Sequence, residues 1–129
     1  MPKNKSSSDL SLLPFEKALQ SLTLVLKEKE NAITRDAAIQ RFEYTFELSW
    51  KVLKRYFKIN NNLEIFNVKD IFREAGKQSL IEKVEKWFEY LEARSLTSHT
   101  YDKEIAEKVL QYLPEFQKEL KNFISKVKN

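Results

Sequence analysis

The sequence contains no cysteine, one glycine and three prolines in 129 residues. Without cysteine it can form no disulfide, no thiolate nucleophile and no cysteine-ligated zinc site, and this composition fits a reducing compartment. The scarcity of glycine and proline leaves little material for the tight turns of β-hairpins. Leu, Lys, Glu, Ala and Gln are abundant instead, and these residues favour helices. The composition therefore predicts an all-α protein.

Long apolar runs are also missing. No stretch approaches the roughly 20 apolar residues that span a bilayer, and the N-terminal segment 1–9 lacks the apolar core of a signal peptide. We therefore expect a cytoplasmic protein that makes no membrane contact. The net charge of +4 permits an RNA or an acidic partner without requiring either. Because no glycine-rich phosphate loop and no His-Glu-x-x-His motif occurs, no cofactor and no metal are expected.

The chain has the length of one ordinary domain with its own core. Residues 1–10 are polar and contain few core formers, so we expect a flexible N-terminal tail. Residues 11–129 carry apolar side chains at spacings of three and four, which is typical of amphipathic helices. This pattern predicts a single domain, an antiparallel up-and-down helical bundle of four main helices plus a short helix. The predicted helices begin near Ser11 or Leu13 and then cover 33–59, 68–75, 80–93 and 102 onwards.

The second predicted helix has two apolar stripes. One stripe includes Phe42, Phe46 and Trp50, and the other includes Leu48 and Val52. The stripes lie about 100° to 140° apart around the helix axis, so a single neighbour cannot cover both. This helix is either central to the bundle or shared with a second copy of the chain.

Two residues are expected to interrupt helices. Gly76, the only glycine, is predicted to end the short helix in a left-handed conformation. Pro114 is predicted to kink or break the last helix near Tyr112, because proline lacks the backbone N–H and clashes with the preceding turn.

A basic cluster lies near the end of the second helix. Its residues are spaced three or four apart and so share one side: Lys51, Lys54, Arg55 and Lys58. These cations suit the negative end of the helix dipole, at about 0.3 to 1 kcal/mol each. The dipole explains the cluster adequately, and contact with the phosphates of RNA or with a partner is the alternative.

The only histidine, His99, lies between Arg94 and Tyr101 in a segment rich in serine and threonine. Such residues favour helix caps over helix interiors, and Asp102 resembles the start of a new helix. Arg94 should then end one helix, and His99 and Tyr101 should open the next. At a tight corner the three side chains can converge, with the N–H groups of the next helix available to an anion.

This arrangement carries a family resemblance. Arg94-x4-His99-x-Tyr101 resembles the Arg-x4-His-x-Tyr motif of the HEPN superfamily, in particular its nucleotidyltransferase substrate-binding family with the toxin-like HepT members. Segments 35–51 and 71–75 also agree with it, so the similarity covers most of residues 14–116. The resemblance implies a HEPN-like bundle, a homodimer, and a minimal nucleotidyltransferase as partner in a toxin-antitoxin-like system.

The resemblance also implies roles for single residues. As a partner subunit, the chain would accept AMP on Tyr101. As a metal-independent ribonuclease, it would neutralise the RNA phosphate with Arg94 and assist proton transfer with His99. Tyr101 could instead be an ordinary tyrosine packed at a helix start. Contacts with the partner, RNA or a nucleotide are expected from Arg41, Tyr44, Glu47, Lys51, Ser98 and Asp102.

The sequence departs from the family pattern beside the motif arginine. Family members commonly have Asp-Arg-Asn there, whereas this chain has Ala93-Arg94-Ser95. Loss of the carboxylate and the amide affects the orientation of Arg94, which matters more for RNA cleavage than for partner binding. The first hypothesis is therefore a substrate-binding partner subunit of a nucleotidyltransferase, the second is a ribonuclease using Arg94 and His99, and the third is a non-catalytic helical scaffold.

Overall fold

The computed structural model describes residues 11–128, and in this range it contains only helices and their connections. The four long helices pack as an antiparallel bundle and the short one covers part of it, which confirms the predicted fold class. The predicted tail, residues 1–10, lies outside the described residues. The helices are α1 Leu13–Leu26, α2 Ala32–Asn61, α3 Val68–Lys77, α4 Val84–Ser95 and α5 Lys103–Lys128, with a 3-10 turn, Leu96–His99, between α4 and α5.

Asparagines lie at both ends of α2 and at the start of α3. Asn31 and Thr34 form a reciprocal capping box at the start of α2. Asn62 is left-handed, with φ of 49°, and the N–H of the next residue donates to the Phe57 carbonyl at 3.1 Å. Asn67 accepts the first free N–H groups of α3. These caps satisfy backbone groups that the helix itself leaves unpaired.

The long helix α2 is central to the bundle, which confirms one of the two alternatives for its wide apolar arc. It contacts α1, α3, α4 and α5. Phe42 and Phe46 of the first stripe are buried, and Trp50 is half-buried. In the second stripe Val52 is buried and Leu48 packs half-buried against the same core. The arc is thus largely used within one chain, and the homodimer stays a prediction. In the described part of the chain, no helix is long and apolar enough to cross a membrane.

An aromatic cluster joins α2, α4 and α5. Phe116 of α5 is fully buried, and its ring centroid lies 5.0 Å from that of Phe42 and 5.1 Å from that of Tyr90. The rings of Phe46 and Trp87 also contact it. Because aromatic pairs contribute beyond the area that they bury, this cluster fixes the relative positions of three helices.

A carboxylate from α5 also holds α4 in place. Glu119 accepts hydrogen bonds from the Trp87 indole at 3.1 Å and from the Tyr90 hydroxyl at 2.6 Å. Burial, together with the hydrogen bond to Glu119, raises the pKa of the Tyr90 phenol above its ordinary value. Tyr90 therefore stays protonated and keeps donating. The same helix carries Arg94 at its C-terminal end.

The expectation for Gly76 was wrong. Helix α3 continues to Lys77, Gly76 has no positive φ, and the left-handed residue after the helix is Ser79, with φ of 61°. A Cβ atom on Gly76 would clash with Val84 Cγ2. The close approach of α4 therefore requires a glycine here, and backbone conformation does not.

Of the kink or break predicted at Pro114, the break was wrong, because α5 is helical through the proline, and the kink stays a prediction. Residues on both sides of the proline are fully buried on one face of α5: Val109, Leu113, Phe116 and Leu120. A proline inside a helix costs about 3 kcal/mol, and the burial of several large side chains outweighs this cost. By contrast, the segment around Leu80 and Ile81 is buried without being helical, so α4 begins later than predicted.

Candidate functional site: the corner between α4 and α5

Side-chain hydroxyls end α4. The Ser95 hydroxyl donates to the Glu92 carbonyl at 2.6 Å, and the Thr97 hydroxyl lies 2.7 Å from the Arg94 carbonyl. Thr100 makes a similar bond to the Thr97 carbonyl at 3.2 Å. Such local bonds compete with the helical pattern of backbone bonds. They confirm that the helix breaks between Arg94 and His99.

Asp102 caps α5 with its own side chain. Its Oδ1 accepts from the Glu104 N–H at 2.9 Å and from the Ile105 N–H at 3.4 Å. The expectation that these N–H groups are available to an anion was wrong, because an aspartate at the N-cap takes them first.

Arg94 lies between two carboxylates of α2. One of its terminal nitrogens is 3.4 Å from Glu43 Oε2, and its Nε is 3.5 Å from Glu47 Oε2. The same terminal nitrogen contacts the Thr97 hydroxyl at 3.3 Å, and this hydroxyl also lies 3.3 Å from Glu43. The guanidinium side chain is 30% exposed. We call these four residues the Arg94 cluster.

Within the Arg94 cluster, the attraction between opposite charges matters more than well-aligned hydrogen bonds. Arg94 Nε is within ion-pair distance of Glu47 but is not aligned for a hydrogen bond, so this buried N–H has no hydrogen-bond acceptor. Glu47 Oε2 accepts from the Trp50 indole at 3.3 Å instead. One guanidinium facing two carboxylates leaves a formal charge of −1 on the cluster. Any phosphate that approaches Arg94 therefore competes with these two carboxylates.

Glu43 was not among the residues predicted from the sequence. A signal for it exists, because Glu43 and Glu47 are four residues apart and so share one face of α2. Sequence spacing could have shown that the two carboxylates lie side by side on α2. It could not have shown that Arg94 lies opposite them.

His99 and Tyr101 form a second, exposed group. His99 Nδ1 lies 3.3 Å from the Tyr101 hydroxyl oxygen, and the two rings meet edge to face with centroids 5.9 Å apart. Tyr101 is 86% exposed, and His99 is exposed as well. With its proton on Nε2, the imidazole accepts from the phenol. The phenol is thus accessible and faces a base.

The structure therefore divides the predicted triad. It brings His99 and Tyr101 into contact, whereas Arg94 belongs to the Arg94 cluster. Within residues 11–128, no hydrogen bond or ion pair joins Arg94 to either ring. The 3-10 turn connects the two groups through Thr97, which is bound to Arg94 at the start of the turn.

The other predicted contact residues are spread over three places. Tyr44, Glu47 and Lys51 line one cleft of about 480 Å³ between α1 and α2, and the Tyr44 hydroxyl donates to Ser21 of α1 at 3.1 Å. The remaining ones do not line it: Ser98 and Asp102 are exposed at the corner, and Arg41 is half-buried on α2. Residues 11–128 contain no group of three or more His, Asp or Glu side chains arranged for a metal ion.

Comparison with known proteins places this bundle among related chains. Residues 10–129 match the family described as nucleotidyltransferase substrate binding protein like. A Haemophilus influenzae protein named Probable ribonuclease HepT is 42% identical over 83 residues. This match includes 61% of the present chain and 57% of the relative, so the chain spans little more than half of that protein's length.

Two solved structures share the fold. A protein from Thermus thermophilus is 34% identical, with a TM-score of 0.83 over 89% of this chain and 99% of that chain. A Haemophilus influenzae protein, described as having the fold of a substrate binding domain of a nucleotidyltransferase, is 29% identical. Its TM-score is 0.82 over 92% of this chain and 100% of that one.

Proposed function

Because this chain belongs to the nucleotidyltransferase substrate-binding protein family, we propose that it is the substrate-binding partner subunit of a minimal nucleotidyltransferase and presents Tyr101 as the acceptor of AMP. The proposal includes the toxin-antitoxin-like pairing that the motif resemblance implies.

The observation that carries this proposal is the contact between His99 and Tyr101. An acceptor hydroxyl must be reachable by a second protein that brings the nucleotide, and Tyr101 is 86% exposed. The hydroxyl must also lose its proton, and His99 Nδ1 lies 3.3 Å away, close enough to act as the general base. An ordinary packing tyrosine needs neither property.

The chemistry follows from this geometry. The Tyr101 oxygen attacks the α-phosphorus of ATP held by the nucleotidyltransferase, and a new phosphorus–oxygen bond forms. The bond from the α-phosphorus to the oxygen that bridges it to the β-phosphate breaks, and pyrophosphate leaves. The phenol proton passes to His99 Nδ1. The chain thus supplies the nucleophile and the base, and the partner supplies the nucleotide site.

The Arg94 cluster supports an acceptor over an autonomous nuclease. A ribonuclease needs a cation free to neutralise a phosphodiester, whereas Arg94 already faces Glu43 and Glu47. Transfer of AMP to Tyr101 does not need a free Arg94, because the partner holds the incoming phosphate.

Mass spectrometry of the intact protein tests the proposal. Incubation with a nucleotidyltransferase of the expected partner class, ATP and magnesium should add the mass of one AMP per chain. Peptide mapping should place it on Tyr101. An unmodified chain that also fails to co-purify with the enzyme, or AMP on another residue, contradicts the proposal.

A second function, metal-independent cleavage of RNA, is favoured by one specific observation. The relative named Probable ribonuclease HepT is 42% identical in the matched region, and this chain has both Arg94 and His99. For cleavage, a phosphate would have to compete with the two carboxylates that face Arg94.

Cleavage makes its own prediction. Purified protein in excess chelator should nick single-stranded RNA and leave cyclic phosphate ends, and Arg94→Ala or His99→Ala should stop this. Glu47→Gln should increase the rate several-fold, because it removes one competing charge from Arg94. Lys108→Ala, a change at an exposed lysine of α5, serves as the control. Equal nicking by all four variants would assign the activity to contamination.

A further inference from the structure

We propose that α2 and the connector after it form a binding surface for single-stranded polynucleotides, in which Lys51 and Lys54 contact phosphates and the ring of Phe66 stacks on a base. We call this set the Phe66 surface. It does not depend on AMP transfer to Tyr101.

The lysines form a row that leads away from the Arg94 cluster. Glu47, Lys51 and Lys54 are four and then three residues apart on an unbroken helix. At about 100° per residue they stay within about 60° of one another around the axis, and at 1.5 Å per residue they extend over roughly 10 Å. The row therefore presents two successive cations on one face of α2.

Each lysine lies over an aromatic ring. Lys54 Nζ is 5.1 Å from the centroid of Phe66, and Lys51 Nζ is 5.8 Å from a ring of Trp50. Trp50 is half-buried and bound to Glu47, whereas Phe66 is 76% exposed. With a lysine over one face, so much exposure leaves the other face of the Phe66 ring open. An open ring beside a cation is the arrangement that stacks on unpaired bases.

Phe66 is held in place by the chain on both sides. Left-handed Asn62 turns the backbone out of α2, and Asn67 caps α3 immediately after the ring. Phe66 also forms one wall of an open cleft of about 560 Å³. These two caps limit the freedom of the short connector that carries the ring, which lowers the cost of ordering it on binding.

The charges favour a polynucleotide over an acidic protein. Lys58, further along the row, forms an ion pair with Glu64 at 3.4 Å and so is not one of the two unpaired lysines. Lys51 and Lys54 form no ion pair in the part of the chain that the structure describes. A polynucleotide offers phosphates to both lysines and a base to Phe66, whereas an acidic peptide would use the lysines and leave the ring exposed.

Fluorescence anisotropy with labelled oligonucleotides tests the surface. The protein should bind single-stranded oligo(U) or oligo(A), as RNA or DNA, more tightly than a duplex of equal length. Phe66→Ala should weaken binding to the single strand about tenfold, because it removes one stacked base. The affinity of Phe66→Ala for inorganic polyphosphate should equal that of the wild type. Since Phe66 is exposed, this variant keeps the fold, and circular dichroism checks that it does.

The lysines are tested by salt dependence. The double variant Lys51→Ala, Lys54→Ala should weaken binding of both oligonucleotide and polyphosphate. It should also lower the slope of log affinity against log salt by about 1.4, since each phosphate contact on a single strand contributes about 0.7. Lys108→Ala, Lys118→Ala removes the same charge from α5 and should leave the slope nearly unchanged.

Three outcomes would overturn the proposal: no binding by the wild-type protein, equal affinity of Phe66→Ala for the single strand, or an equal loss of slope in the control pair. Tighter binding of oligoglutamate than of oligonucleotides would identify an acidic protein partner instead. Tyr101→Phe should bind the single strand as the wild type does, which separates this surface from the acceptor proposal.

Discussion

Tyr101→Phe should abolish AMP transfer to the chain and leave its fold intact. The substitution removes only the hydroxyl oxygen, the nucleophile in the proposed transfer. Because the side chain is 86% exposed, the free energy of unfolding should change by less than about 0.5 kcal/mol. Intact mass after incubation with the nucleotidyltransferase and ATP gives the readout. Tyr56→Phe, a half-buried tyrosine of α2, is the matched control and should be modified as fully as the wild type.

The role of His99 is tested with the same assay. His99→Ala should slow transfer about a hundredfold, which is the usual scale for loss of a general base. Tyr101 should still be the modified residue. An unchanged rate would show that His99 only packs beside the phenol. AMP found on Tyr101→Phe would contradict the acceptor assignment directly.

Phe116→Ala should destabilise the protein by about 3 to 5 kcal/mol, the usual cost of truncating a fully buried phenylalanine. The ring contacts aromatic side chains of α2 and α4, with Tyr90 at 5.1 Å and Phe42 at 5.0 Å between centroids. The surrounding side chains relax only partly into such a cavity. Denaturant unfolding followed by circular dichroism measures the loss.

Two companion variants separate core packing from general effects of substitution. Phe116→Leu leaves a smaller cavity and should cost clearly less than Phe116→Ala. Gln111→Ala, an exposed change on the same helix, should fall within about 0.5 kcal/mol of the wild type. Equal stability of Phe116→Ala and Gln111→Ala would mean that the aromatic cluster does not hold the helices together.

Much of the fold could be predicted from local pattern, because the signals involved act over a few residues. Apolar spacing identified the four long helices, and Asn62, Asn67 and Asp102 begin or end helices as their side-chain chemistry indicates. Gly76 and Pro114 show the limit of such rules. A close approach of Val84 explains the glycine, and burial on both sides of the proline maintains α5. Neither the approach of Val84 nor the burial around Pro114 can be predicted from the nearby sequence, because both depend on tertiary packing.

The corner between α4 and α5 shows most clearly what the sequence predicts and what only the tertiary structure decides. Residue types alone indicated a helix break, a histidine near a tyrosine, and the family motif, since each depends on residues close together in the chain. The pairing of Arg94 with Glu43 and Glu47 depends on two helices that meet across the bundle. Ion pairs follow from distance in space, and for side chains so far apart in the chain that distance is set by packing of the core. Tertiary packing alone therefore determined that Arg94 is neutralised while Tyr101 is exposed.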